Sequence, residues 1–255
     1  MNKPKIEVIN DLLGYEGLKI IQRPDIFNFS LDSTLLADFV TINSGDKNII
    51  DLGCGNGYIP IFLTLRTKAK IVGVELQEEI ADIAIRSVSL NKLENQITIY
   101  NEDLKCIHKI LGTSKFDVVT CNPPYFKYQE GSSNINESTY QTIARHEVYA
   151  TLDDVVKAAN VLLKDGGTFA MVHRVERMMD IIDTFNKYNF VIKKLRFVYP
   201  KTSSDTALAI LIEAKKKGSY GGLKILKPMY VENIDGTYTE EILKIFNYKK
   251  GEDRA

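Results

Sequence analysis

The chain has 255 residues, enough for one full α/β domain with small additions and too few for two large ones. Hydrophobic residues at 44% and charged residues at 26% lie near ordinary globular usage, which argues against both a disordered chain and a membrane protein. Lys plus Arg and Asp plus Glu total 33 each, so the overall basic excess of a polyanion binder is missing, and a nucleic-acid partner would have to be met by local patches.

No apolar run nears the ~20 residues that cross a bilayer. The opening Met1-Asn2-Lys3-Pro4-Lys5-Ile6-Glu7 lacks an apolar signal segment, so a cytoplasmic address is expected. Cys54, Cys106 and Cys121 form no C-x-x-C pair and are expected to be reduced. No spacing of His, Cys and acidic residues suggests a metal site, His146 and His173 included.

In chain order, Asn28-Phe29-Ser30-Leu31-Asp32-Ser33-Thr34-Leu35-Leu36 comes first, with apolar periodicity beginning after Asp32, where a helix N-cap would stand. From residue 48 short β-branched runs alternate with helical-period segments, the signature of repeated βαβ units and a mostly parallel sheet. Strands are predicted at 48–52, 70–75, 96–100, 116–121 and 168–173, with helices at 59–66, 78–90 and 151–163. Asp153 and Asp154 suit the positive end of the last of these helices. A helix at 178–188 and strands at 191–199 and 206–213 complete a predicted seven-stranded sheet with helices on both faces. Residues 215–222 read as a linker, 239–246 as a small tail element, and the polar stretch 127–146 as a mobile loop at the sheet's C-terminal edge.

Asp51-Leu52-Gly53-Cys54-Gly55-Asn56-Gly57 falls at a strand-to-helix turn. Glycines at alternate positions allow tight turning and close ligand approach, and the helix behind them offers its amides. The spacing differs from the dinucleotide fingerprint, whose third glycine comes one position later. The segment resembles motif I of the S-adenosylmethionine-binding methyltransferases, a Rossmann-like class. That resemblance implies that Asp51 addresses the amino-acid part of the ligand, with Gly53, Gly55 and Gly57 beneath it. Glu75, with Leu76 beside it, ends the second strand, where a carboxylate can accept from both ribose hydroxyls. Asp103 resembles the residue that meets the adenine amino group in this class. The plainer alternative for Asp51, Glu75 and Asp103 is a capping or solvated carboxylate, and Cys54 reads as filler.

Asn122-Pro123-Pro124-Tyr125 follows the fourth strand at the edge where open α/β sheets bind ligands. Consecutive prolines fix φ and restrict their predecessors, which holds Asn122 and the Pro123 carbonyl in one geometry. A ring-conjugated amine is a poor nucleophile because its lone pair is delocalised. Two acceptors for its N–H protons, the Asn122 side-chain oxygen and the Pro123 carbonyl, would aim the lone pair at an electrophilic methyl. Tyr125 and Phe126 offer rings for stacking a flipped base. Taken alone, the motif is also compatible with a proline turn.

The F-S-L-D segment, D-L-G-C-G-N-G, Glu75 and N-P-P-Y in one compact domain resemble the bacterial tRNA1(Val) (adenine-37-N6)-methyltransferase family. Ala144-Arg145-His146-Glu147 and Arg196-Phe197-Val198-Tyr199-Pro200-Lys201 resemble its Gram-positive branch, so the likeness spans most of residues 15–245. It implies S-adenosylmethionine as cofactor, S-adenosylhomocysteine as product and tRNA as substrate, with no metal and no membrane. It also implies a segment 1–45 over the cofactor site, a core at 46–214 and an extension at 215–255 in the same domain. Asp32 matches the acidic residue that closes over the methionine end of the cofactor, and Asn122 also borders the cofactor. Release-factor glutamine methyltransferases share N-P-P-Y but carry a helical domain ahead of motif I, for which the 50 residues before Asp51 leave little room. Guanine-N2 rRNA methyltransferases usually have Phe at the Tyr125 position. Candidate RNA contacts are Arg145, His146, His173, Arg174 and Arg177 near the catalytic edge. Two further basic groups are Lys193, Lys194, Arg196 and Lys201, and Lys215, Lys216 and Lys217.

Overall fold

The computed structural model describes residues 6–24, 31–123 and 150–246. Five strands form its parallel centre: β3 (Asn48–Leu52), β4 (Lys70–Glu75), β5 (Ile97–Asn101), β6 (Phe116–Cys121) and β7 (Leu163–Arg174). β8 (Phe190–Lys201) and β9 (Ala209–Lys216) extend the sheet, with β9 antiparallel to both β7 and β8. The spatial order is β8-β9-β7-β6-β3-β4-β5, with the order reversing between β3 and β6. That switch point, at the strands' C-terminal ends, is where open α/β sheets take ligands.

The predicted count of seven strands is corrected to nine among the described residues. β10 (Lys224–Ile225) and β11 (Met229–Glu232) pair successive stretches of β8, at Lys194–Leu195 and at Val198–Lys201. Both are parallel to β8, and Pro228 separates them. They lie in the stretch expected to form an extension, where two- and four-residue runs are too short to carry a period. Their position covers an otherwise open sheet edge.

Central parallel strands are buried on both faces, which is why Ile49 and Ile50 are both fully buried and why these strands read as apolar runs rather than alternating ones. On one face lie α1 (Leu31–Phe39), α2 (Tyr58–Leu63), α3 (Glu78–Leu90) and α7 (Glu240–Phe246). On the other lie α4 (His108–Leu111), α5 (Leu152–Leu162) and α6 (Met178–Lys187). A triangle of Phe169, Phe185 and Phe190, with centroids 5.4–5.6 Å apart, fastens α6 to the sheet. Thr151 caps α5 by accepting from the Asp154 amide, and the Asp154 carboxylate accepts from the Thr151 amide in return.

A hairpin not expected from the sequence, β1 (Val8–Leu12) with β2 (Tyr15–Gln22), precedes the sheet. Its β2 strand is tied to α3: the Lys19 amide donates to Asn91 Oδ1 at 2.7 Å and the Ile21 amide to Ser87 Oγ at 3.1 Å. Tyr15 packs edge-on against Phe62 and donates to the Ile245 carbonyl, which joins the hairpin to α2 and α7.

Candidate functional site

The turn after β3 wraps the end of β4. The Gly53 and Cys54 amides both donate to the Val74 carbonyl at 2.8 and 2.9 Å, and Gly53, Gly55 and Gly57 take φ of 71°, 55° and 87°. Side-chain-bearing residues rarely adopt this left-handed region. The surroundings of Gly53 and Gly57 differ. A Cβ on Gly57 would stand in ordinary contact with Ala84 at 3.5 Å, and a Cβ on Gly53 would meet nothing within 4 Å, so at both positions it is the left-handed φ that calls for glycine. Asn56 donates through Nδ2 to the Ile21 carbonyl, which couples the turn to β2. Cys54 fills the space beside Gly73, where a Cβ would stand 2.8 Å from its sulfur.

Two buried carboxylates flank this turn. Asp51 is fully buried; its Oδ1 accepts from Thr120 Oγ1 at 2.6 Å, whereas Oδ2 has no partner among the described residues. Burial pushes its pKa up to about 7, the Thr120 bond opposes that rise, and the nearby Glu75 adds to it. Glu75 accepts from the Gly55 amide at 3.1 Å and the Gln77 amide at 2.9 Å, and burial raises its pKa while these bonds lower it. Each of its oxygens keeps further acceptor capacity. Leu76 beside it is 41% exposed, an apolar surface next to the carboxylate. A ligand with cationic groups, ribose hydroxyls and an apolar ring face fits these groups: an orphaned buried carboxylate oxygen, a second carboxylate, and an open backbone approach at Gly53.

Asp103 serves its own turn. Its Oδ1 accepts from the Lys105 amide at 2.8 Å, its Oδ2 lies 3.3 Å from Lys105 Nζ, and its carbonyl accepts from the Cys106 and Ile107 amides. The capping alternative is thus satisfied there, whatever else the carboxylate meets.

Asn122 follows β6, the strand next to β3, so the register Asp51↔Thr120 puts it two residues beyond Asp51's partner. Its Nδ2 donates to Ser33 Oγ at 2.9 Å, and Pro123 beside it is buried. Asp32, in the first turn of α1, lies 4.0 Å from Arg174 Nη2 at the end of β7. The structure thereby brings Asp32, Asp51, Glu75, Asn122 and Arg174 to one sheet edge. Pro124, Tyr125, Phe126, Arg145 and His146 lie outside the described residues, as does the 127–146 loop.

His173 is fully buried, and its Nδ1 accepts from the Arg174 amide at 2.8 Å. Burial, then the charge of Arg177, pushes its pKa down to about 4, so the ring is neutral at neutral pH and offers no charge to a phosphate. Several expected RNA contacts are likewise engaged within the protein. Lys194 Nζ is held by the Phe39 carbonyl, Thr41 Oγ1 and Glu213 Oε2 at 2.8, 2.6 and 2.9 Å. Lys216 Nζ donates to the Asn160 and Leu163 carbonyls. Arg196 pairs with Glu241, and Lys193 donates to the Ser219 and Gly221 carbonyls. Lys215 pairs opposite Thr168 at the start of β7, while Ala209 lies opposite Arg174 at its end. Residues 215–217 therefore occupy the end of the sheet away from Asn122.

Sequence reasoning missed Ser33, Thr120 and Asn101. Asn101 Nδ2 donates to the Glu75 and Leu76 carbonyls at 3.0 and 2.9 Å and fixes the backbone that presents both. Each of the three acts through a partner at least 25 residues away. Only strand order and helix placement reveal such pairings. Among the described residues no group of three or more His, Cys, Asp and Glu could hold a metal ion, and no helix is long and apolar enough to cross a membrane.

The family model described as "Methyltransferase small domain" matches residues 18–200. The tRNA1(Val) (adenine(37)-N6)-methyltransferase of Aliivibrio salmonicida is 26% identical over 185 residues, covering 72% of this chain and 75% of its own. Its namesake in Cytophaga hutchinsonii is 20% identical over 236 residues, covering 92% and 96%. Among solved structures, a predicted O-methyltransferase from Agrobacterium tumefaciens superposes with a TM-score of 0.67 at 22% identity, over 85% of this chain and 96% of that one.

Proposed function

The chain belongs to the methyltransferase small domain family, and from that premise we propose that it methylates the N6 amine of an adenine in tRNA, with S-adenosylmethionine as the donor. Adenosine 37 of tRNA1(Val) is the proposed target, in keeping with what the relatives are named for, and the cytoplasm is the proposed place of action. The observation that carries the reading is the Asn122 side chain. It stands at the end of β6, one strand from Asp51, with its Nδ2 engaged by Ser33.

Asp51 and Glu75 hold the cofactor, the first through its orphaned Oδ2 toward a cationic amino group and the second through hydroxyl contacts. The bound cofactor supplies an electrophilic methyl on a sulfonium. Asn122 Oδ1 and the Pro123 carbonyl accept hydrogen bonds from the two amine N–H groups and turn the nitrogen lone pair toward that methyl. The nitrogen–carbon bond forms as the carbon–sulfur bond breaks, one amine proton passes to solvent, and S-adenosylhomocysteine is left. Tyr125 and Phe126 complete the reading as the stacking surface for the flipped base, and Arg145, His146 and Arg174 as RNA contacts.

In Asn122→Ala the turnover number on tRNA is expected to fall by about a hundredfold or more while cofactor affinity stays within about twofold, because the lost oxygen acts on the amine. Calorimetric titration beside a methyl-transfer assay separates the two. A variant that loses cofactor binding instead would remove Asn122 from this role.

A further inference from the structure

A primary amide has two unlike ends, and rotation about its last torsion is broad and roughly two-fold. In one orientation Asn122 presents an acceptor to the target amine; turned by half a rotation it presents two N–H donors, which repel amine N–H groups. Accepting from the amine therefore requires something that favours one end.

Ser33 does this from 89 residues away in sequence, its Oγ accepting from Asn122 Nδ2 at 2.9 Å. The helix that carries it is fixed along its length beyond the contact. The neighbouring Thr34 Oγ1 donates to the Tyr58 hydroxyl at 2.9 Å, and Leu35 and Leu36 are fully buried. At the far end, Lys194 holds the Phe39 carbonyl. Because α1 is pinned this way, the hydroxyl is a fixed point against which the amide can be oriented.

We propose that Ser33 is a positioning residue for amine methylation: by accepting a hydrogen bond from Asn122 Nδ2 it turns Asn122 Oδ1 toward the target nitrogen. The inference rests on the role proposed for Asn122. It adds a requirement for a hydroxyl at position 33, which D-L-G-C-G-N-G and N-P-P-Y do not contain.

The test uses the purified 255-residue chain with bulk tRNA from cells lacking the gene. Ser33→Ala is expected to lower kcat roughly five- to tenfold, the worth of one neutral hydrogen bond. KM for tRNA and Kd for S-adenosylmethionine should stay within about twofold, since Ser33 touches neither in this scheme. Ser33→Thr keeps the hydroxyl and should restore most of the rate. In an Asn122→Ala background, Ser33→Ala should have no further effect, because the bond is already gone.

A readout that does not depend on turnover is hydrogen exchange of the Asn122 side-chain amide, followed by NMR and assigned from Asn122→Ala. Exchange should quicken in Ser33→Ala and not in Ser33→Thr. Unchanged kcat and exchange in Ser33→Ala would overturn the proposal, as would equal rate losses with and without Asn122. Should the wild-type chain methylate a protein amide or a guanine amine, the adenine reading fails. The same variants on that substrate, with the same exchange measurement, still decide the role of Ser33.

Discussion

Asp51 illustrates how far a single residue's surroundings set its chemistry. A fully buried carboxyl with one hydrogen-bond donor and a second carboxylate nearby is held at about pH 7, so near neutrality it divides between its two forms. A cationic ligand favours the ionised form. Affinity for S-adenosylmethionine is therefore expected to rise with pH up to about 7 and level off above it, falling at most about tenfold per unit below. Calorimetric titrations between about pH 5.5 and 7.5 check this, with Asp51→Asn as the flat, weak control; a wild-type Kd independent of pH would contradict it. The same shift acts on stability with the opposite sense. The folded carboxyl keeps its proton up to about 7 and the unfolded one only to about 4, so this group's contribution to stability falls as pH rises through that window. Gly53 makes a separate prediction. Its φ of 71° makes any side chain strained, and its Cβ would project into open space rather than protein. Gly53→Ala should cost about 1–2 kcal/mol of stability and should lower cofactor affinity by more than that loss explains. Thermal melts with and without cofactor read both.

At the scale of elements, the βαβ alternation from β3 to β7 was legible because buried parallel strands are written as β-branched runs and their helices as 3.6-residue periods. The hairpin β1–β2 was not legible. Four of the five β1 residues are exposed, so the strand has no one-sided pattern, and its turn uses Leu13 at φ 56° instead of a residue that announces it. Lys194 was misread for a related reason: in the run Lys193-Lys194 nothing marks one lysine as internal. Its partner Glu213 appears only when β8 and β9 are put in register, Lys194↔Glu213. The pair, with Thr41 and the Phe39 carbonyl, anchors the C-terminal end of α1. Lys194→Ala leaves the Glu213 carboxylate, 4% exposed, without its counter-charge. It should destabilise the fold by about 3 kcal/mol and leave tRNA affinity nearly unchanged below the melting transition. A variant of normal stability that loses tRNA affinity would return Lys194 to the RNA-facing set.

For the whole molecule, the site is a property of one sheet edge rather than of any motif. Asp51 and Asn122 are some 70 residues apart in sequence and become neighbours because β3 and β6 pair at the switch point. What the sequence made legible was the chemistry of each end: a glycine turn with its carboxylate, and a proline-stiffened asparagine. What it hid was the support, Ser33, Thr120 and Asn101, because a serine or asparagine of that kind looks like any polar residue until its distant partner is known. The central claim is that this edge delivers a methyl group to adenine N6 in tRNA. The most direct measurement incubates the purified chain with isotopically labelled S-adenosylmethionine and bulk tRNA from cells lacking the gene, then resolves the nucleosides by mass spectrometry. The account predicts label in N6-methyladenosine with wild-type protein and label reduced about a hundredfold or more with Asn122→Ala; label in another nucleoside, or only in protein, would contradict it.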